Sequence, residues 1–243
     1  MKPVTIVTGA AGGIGKAVAS ALAENGHRLV LTGHKPERLM EVTEPLRRAG
    51  HEVEDVICDI ASTEATTLMA EAAVKRFGRI DALVHCAGID APSGKAWQLG
   101  DEHWRKVIDV DLNGAWWCTR AVLPFMLEQK AGRIILIGSA SAKMPTLGTS
   151  VAYNAAKAGI NGLVMGLSNQ VEGSGVLVNV ISPGPTGTGA AMTEAERRAY
   201  ESIYPLGEGG ARPVVEACLY LLGPGGDWLS GSVLNVSGGR VRG

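Results

Sequence analysis

Tyr153 and Lys157 stand four positions apart in VAYNAAKAGI, residues 151 to 160, a stretch otherwise made of small or apolar residues and one asparagine. Residues i and i+4 share one face of a helix, so a helix here stacks the phenol beside the ammonium. A tyrosine ordinarily titrates near ~10, and a nearby ammonium favours its ionised form. The pair would therefore supply a proton donor useful closer to neutral pH, suited to reducing a carbonyl. Hydroxyls at Ser139 and Ser141, in the GSAS that follows the apolar run RIILI, would hydrogen-bond a substrate oxygen while Tyr153 donates to it. The spacing alone also fits an ordinary surface helix, and position in the chain decides between the two readings.

A second chemical signal lies near the N-terminus. TGAAGGIG, residues 8 to 15, stands between the apolar run VTIV and the helical pattern KAVASALAEN. Glycines let the backbone turn sharply and approach a pyrophosphate, and the helix start offers unpaired N–H groups and a favourable dipole. This context points to a dinucleotide held by Gly9, Ala11, Gly12, Gly13, Ile14 and Gly15. At the end of the second apolar run an acid would bind a ribose 2′-hydroxyl, whereas a basic group would accommodate a 2′-phosphate. The chain has LTGHKPERL there, with His34 and Lys35 and no acid at the strand end, which favours NADP(H) over NAD(H). Solvated turn residues are the plainer alternative for those two.

These groups need a scaffold. Apolar runs rich in Val, Ile and Leu recur at 4–7, 28–32, 53–57, 81–85, 133–137, 176–181 and 232–236, with helical periodicity between them, including one long stretch from Trp104 to Gln129. Strands apolar on both sides and separated by helices predict an α/β, Rossmann-type doubly wound parallel sheet of about seven strands with helices on both faces. In such folds ligands bind beyond the carboxyl ends of the strands, which places TGAAGGIG and GSAS on one rim. The 243 residues fit one domain carrying both cofactor and catalysis.

With 23 Lys and Arg against 24 Asp and Glu, and no basic block, nucleic acid is not an expected partner. No run reaches the length of a spanning helix, and MKPVTIVTGAAGG breaks at glycine too early for a signal-peptide core, so a cytoplasmic location without membrane attachment is expected. Cys58, Cys86, Cys118 and Cys218 lie far apart without a CxxC pair and read as reduced, largely core residues, with no disulfide or metal role.

Taken in order, these motifs resemble the short-chain dehydrogenases/reductases of the compact type, similar to members that act on 3-oxoacyl thioesters, over nearly the whole chain. TGAAGGIG fits the family's TGxxxGxG. CDI puts Asp59 and Ile60 at the adenine, the turn HCAG brings Cys86, Ala87 and Gly88 to the cofactor, and LNG puts Asn113 in the active-site helix. IGSAS carries the catalytic serine, YNAAK the tyrosine–lysine pair, and SPGPTGT the turn meeting the nicotinamide end, with Pro183, Gly184, Thr186 and Thr188. The resemblance implies Tyr153 as general acid/base, Lys157 as the residue that tunes it and binds the nicotinamide ribose, Ser139 as the group polarising the carbonyl, and Asn113 as the holder of a water linking Lys157 to solvent.

Three departures stand out. The family's NNAG is here HCAG, with His85 expected as a hydrogen-bonded core histidine. Ser139 lies 14 positions before Tyr153 and Ser141 12, and the usual spacing falls between; Ser139 is chosen because the strand run anchors it. Gly12 stands where NADP-preferring members often carry a basic residue. Residues 189 to 210 are expected to cover the substrate as a lid, with Met192, Tyr200, Ile203, Tyr204 and Leu206 as apolar contacts or helix packing. The helices around Trp116 and Trp117 and around YNAAK resemble those through which the family forms dimers and tetramers, one tryptophan packing inward and the other meeting a second subunit. A catalytically silent cofactor-binding sensor or scaffold would have lost Tyr, Lys or Ser, and all are present; a relative performing isomerisation is the other alternative.

Overall fold

The structure, a computed structural model, describes residues 2–89, 94–145, 149–187 and 193–242. Seven strands form one parallel sheet: β1 (Val4–Thr8), β2 (Arg28–Gly33), β3 (Val53–Ile57), β4 (Ala82–His85), β5 (Gly132–Ile137), β6 (Val176–Pro183) and β7 (Val233–Val236). Their order is β3-β2-β1-β4-β5-β6-β7. The chain winds outward one way from β1 to β3, then crosses back to β4 and winds the other way. A crevice therefore opens between the carboxyl ends of β1 and β4, where the two directions part.

Successive residues of each strand point to opposite faces, and both faces are buried. Ile6, Leu83, Ile134 and Val180 pack with α3 (Thr63–Phe77), α5 (Gly114–Gln129) and α6 (Val151–Gln170), through Met69, Val122 and Ile160. Their neighbours Val7, Val84, Ile135 and Ile181 pack with α1 (Gly13–Glu24), α2 (Pro36–Arg48) and α8 (Arg212–Leu222), through Val18, Leu39 and Val214. The period-two alternation in the strands is thus what divides one sequence between two cores. Local signals set helix ends: in α3 the Ser62 hydroxyl accepts the Ala65 N–H, and Gly78 at φ 77° closes the helix in the left-handed region.

The long helical stretch expected from Trp104 to Gln129 has finer structure. α4 (Asp101–Val107) passes into a π-helical turn, Ile108–Asn113, before α5 begins. Gly114 is required where α5 starts, because a Cβ there would lie 2.9 Å from the Ile60 side chain. Beyond β6, α7 (Glu194–Ile203) occupies part of the expected lid; Thr188 and Met192 lie outside the described residues.

Candidate active site

The glycine-rich turn works by backbone proximity. Gly9 has φ 63°, and a Cβ on it would stand 2.7 Å from the Ala87 backbone; a Cβ on Gly15 would stand 2.2 Å from the Gly9 carbonyl oxygen. The turn is so folded onto α1 and onto the turn after β4 that side chains are excluded. Gly12, the residue before α1, offers no side-chain cap, and the first turn of α1 holds no acid. Its N–H groups and positive dipole end thus stand without a competing anion, and Gly13 has open space about its Cβ position. That arrangement fits the pyrophosphate of a dinucleotide.

Gly9, Ala11 and Gly12 line a cavity of about 470 Å³ together with His34 and Lys35 from the end of β2, Asp59 and Ile60 from the end of β3, and Cys86, Ala87 and Gly88 from the end of β4. Arg38, in the first turn of α2, also lines it and donates to the Ala11 carbonyl at 3.3 Å. Sequence reading stopped at Lys35; the Arg38 side chain, three residues on, returns to the cavity because α2 starts beside the rim. Lys106 of α4 is a second cation on the wall that sequence reading missed.

Cys86, Gly88 and Ile89 are shared with a smaller adjoining cavity of about 190 Å³. Ser139, Tyr153, Lys157, Ile14, Pro183, Gly184 and Thr186 line this second space. The Ser139 Oγ accepts the Ser141 N–H at 3.1 Å, which leaves its hydroxyl proton free to donate into the cavity. Ser141 lies outside that lining. Lys157 is 5 % exposed, sits 5.5 Å from the Tyr153 ring centroid and donates to the Ile137 carbonyl at 3.4 Å. Gly13 and Gly15 support the site from within α1 without lining either cavity.

Asn113, expected to hold a water linking Lys157 to solvent, lies in the π turn and donates its side-chain amide to Asp109 at 2.9 Å. The side chain that reaches Lys157 is Asp111, with its Oδ2 at 3.2 Å from the ammonium nitrogen.

His85 is buried, as expected, with Nδ1 bonded to the Thr8 hydroxyl at 2.9 Å. Burial first, and the Lys157 charge second, push its pKa down to about 3, so it is neutral near pH 7. Burial pushes the Cys58 thiol up to about 11 and Cys86 up to about 12, and all four cysteines are unpaired. Trp116 packs against the core, while Trp117 is half-buried with the Arg120 guanidinium 4.7 Å from its ring centroid. In the segment expected as a lid, the Tyr200 and Tyr204 rings lie 5.0 Å apart and tilted by 36°, Ile203 is 37 % and Leu206 81 % exposed. Arg240 ties this segment to the loop after β5, lying over the Tyr204 ring and donating to the Met144 and Pro145 carbonyls. Among the described residues no cluster of His, Cys, Asp and Glu could hold a metal ion, and no helix is long and apolar enough to cross a membrane.

Known proteins share this plan. The short chain dehydrogenase family matches residues 3–199. A 3-oxoacyl-[acyl-carrier-protein] reductase of Vibrio harveyi is 33% identical over 241 residues, 97% of this chain and 96% of that protein. The cis-4-hydroxycyclohexanecarboxylate dehydrogenase of Sinomonas cyclohexanicum is 34% identical over 97% of this chain and 95% of its own length. Among solved structures, a variant of actinorhodin polyketide ketoreductase with NADPH superposes with a TM-score of 0.90 at 30% identity, covering 98% of this chain and 97% of that one. With a rim of glycines for a dinucleotide and a serine, tyrosine and lysine around one cavity beside it, the chain belongs to the short-chain dehydrogenase/reductase family, whose members are NAD(P)-dependent oxidoreductases acting on C=O or CH–OH groups.

Proposed function

We propose that the protein is an NADP(H)-preferring carbonyl reductase in which Tyr153 is the general acid/base, in a cytoplasmic setting that suits its four unpaired cysteines. The observation that carries this reading is the convergence of Ser139, Tyr153 and Lys157 on a cavity continuous with the dinucleotide cavity. When bound, the nicotinamide supplies the hydride. The chain's own groups do the rest. Ser139, its proton free, donates to the substrate oxygen and orients it; Tyr153 delivers the proton that the oxygen needs once it becomes an alkoxide; Lys157 steadies the phenolate left behind and binds the ribose. In the oxidative direction the same groups act in reverse.

The cofactor preference rests on His34, Lys35 and Arg38, which line the cavity at the end of β2 where an acid would favour a 2′-hydroxyl. Pro183, Gly184 and Thr186, with Thr188 by family pattern, would contact the nicotinamide end. The Vibrio relative's 3-oxoacyl substrate marks 3-oxoacyl thioesters as the first class to assay. Lid closure by residues 189–210 and assembly into a homodimer or homotetramer complete the proposal.

The test is a titration with NADPH and NADH followed by nicotinamide fluorescence, then turnover over a carbonyl panel. NADPH is expected to bind at least ~10-fold more tightly, as a lost charge-assisted contact would imply; NADH binding alone would reverse the cofactor choice. Tyr153→Phe is expected to retain NADPH binding and lose about 10² or more in turnover, the scale of a general acid. Undiminished turnover would remove Tyr153 from the mechanism.

A further inference from the structure

The helix that carries Tyr153 begins without a cap. Ser150 stands at the N-cap position of α6, yet its side chain makes no capping bond, and the first turn holds no acid. This helix of 20 residues therefore starts in N–H groups that lack intrahelical partners and in a positive dipole end. Ser150 is only 4 % exposed, and its Oγ is buried with no hydrogen-bond partner. His103 of α4 repeats the pattern, with Nε2 buried and unpartnered. Buried polar atoms left unpaired cost free energy, which a ligand that pairs them recovers.

The residues carrying these two atoms line one cavity of about 400 Å³, together with Lys95, Gln98 and Leu99 from the segment after β4. Among the described residues of this lining no side chain is acidic, and every polar one can donate a hydrogen bond. Lys95 brings a single positive charge, its ammonium 5.6 Å from the Trp97 ring centroid. The cavity stands close to the catalytic one. Ser150 precedes Tyr153 by three positions, about 4.5 Å along the helix axis. Side chains lean toward the N-terminus of their helix, which carries the phenol in that direction. Leu99, Ile89 and Tyr153 pack around Val107, Ala152 and Ala156 in one small apolar cluster. Ile89 and Tyr153 line the catalytic cavity and Leu99 lines the outer one, so this cluster joins the two.

We propose that the outer cavity is a carboxylate subsite: a substrate whose carbonyl meets Tyr153 runs an apolar chain across Ile89 and Leu99 and sets a carboxylate against the start of α6, held by Ser150, His103 and Lys95. The preferred substrates are then oxo acids, and in the oxidative direction the matching hydroxy acids, over their neutral esters. The substrate half rests on the reading of Tyr153 as general acid/base; the carboxylate site does not. One lysine among neutral donors matches the single charge of a carboxylate better than the double charge of a phosphate.

The site has a readout free of turnover. With the complete protein and NADP⁺ bound, acetate is titrated at constant ionic strength while the His103 ring resonances, identified by their loss in His103→Gln, are followed by NMR. A saturable shift is expected with acetate and none with chloride. In Ser150→Ala the acetate affinity is expected to fall about 10-fold, the scale of one lost charge-assisted hydrogen bond. A ring unmoved by acetate, or moved equally by chloride, overturns the site; tighter binding of inorganic phosphate than of acetate overturns the carboxylate class. For the substrate half, linear oxo acids from 4-oxopentanoate to 6-oxoheptanoate are compared with their methyl esters as oxidants of NADPH. At the best chain length the acid is expected to exceed its ester by about 10-fold or more in kcat/KM, chiefly through KM, because the contact is made equally before and in the transition state. That ratio is expected to fall toward one in His103→Gln. Equal rates for acid and ester in the unaltered protein overturn the substrate half. If neither is turned over, displacement of acetate from His103 decides: an acid that displaces no better than its ester overturns it. Should Tyr153→Phe turn over normally, the acid/base reading fails while the acetate titration still decides the subsite.

Discussion

Burial, and the Lys157 charge after it, keep His85 neutral. The Thr8 hydroxyl accepts the Ala87 N–H at 3.3 Å and shares a hydrogen bond with His85 Nδ1 at 2.9 Å, so the neutral ring is partnered on that nitrogen. The Nε2 atom is buried without a protein partner, so a second proton on the ring would place a charge beside Lys157 with no solvent to spread it. The folded-state pKa of about 3 lies below the ordinary 6.5, so between those values the unfolded chain binds the extra proton and the folded chain does not. Stability from this site is therefore complete above about pH 6.5 and is lost as pH falls toward 3. His85→Asn is expected to flatten the decline of melting temperature between neutral and mildly acidic pH. Some slope will remain because His27, also lowered by burial, titrates in the same direction. An unchanged slope would show that His85 is not the group being protonated. Residues of this kind were half legible: Tyr153 and Lys157 announce themselves through local spacing and Ser139 through the strand run that anchors it, whereas the contact of Asp111 with Lys157 joins residues 46 positions apart that no local pattern pairs.

At the scale of elements, the crevice exists because β1 and β4 are neighbours while their helices leave toward opposite faces. The strand runs were readable within a residue or two because both sheet faces demand apolar side chains, and the glycine turn because its neighbours are a strand and a helix. What stayed hidden depends on how elements are aimed: Arg38 reaches the cavity through the starting position of α2, which no local pattern encodes. The two glycines of α1 separate packing from binding. Gly15→Ala would drive a methyl against the Gly9 carbonyl at 2.2 Å, and is expected to lower the melting temperature and weaken NADPH binding together. Gly13→Ala meets nothing within 4 Å and replaces glycine by a better helix former. Its melting temperature is expected to hold or rise, by the effect of about 0.5–1 kcal/mol that such exchanges give. Parallel thermal melts and NADPH titrations distinguish the two; equal losses in both variants would contradict this division of roles.

For the whole molecule, the near balance of 23 basic and 24 acidic side chains leaves surface chemistry to its apolar groups. Two groups of these bear on assembly. On one side Val151 and Met165 of α6 are 41 % and 63 % exposed, and Trp104 of α4 is 42 % exposed. On the other, Tyr220 of α8 is 51 % and Trp228 97 % exposed, close in sequence to β7, the last strand of the sheet. Large exposed apolar side chains beside an unpaired strand edge invite a second copy, which would cover both at once. Of the adjacent tryptophans, one of which was expected to meet a second subunit, Trp116 packs on the core and Trp117 has Arg120 over its ring, so both are weaker candidates than Trp228. Light scattering on the intact protein is expected to give two or four times the mass of the chain. Trp228→Glu and Met165→Glu, each changing an exposed side chain, are expected to yield smaller species with unaltered circular dichroism. If the two surfaces are independent interfaces, the double variant is a monomer, and a monomeric parent protein would refute the assembly altogether.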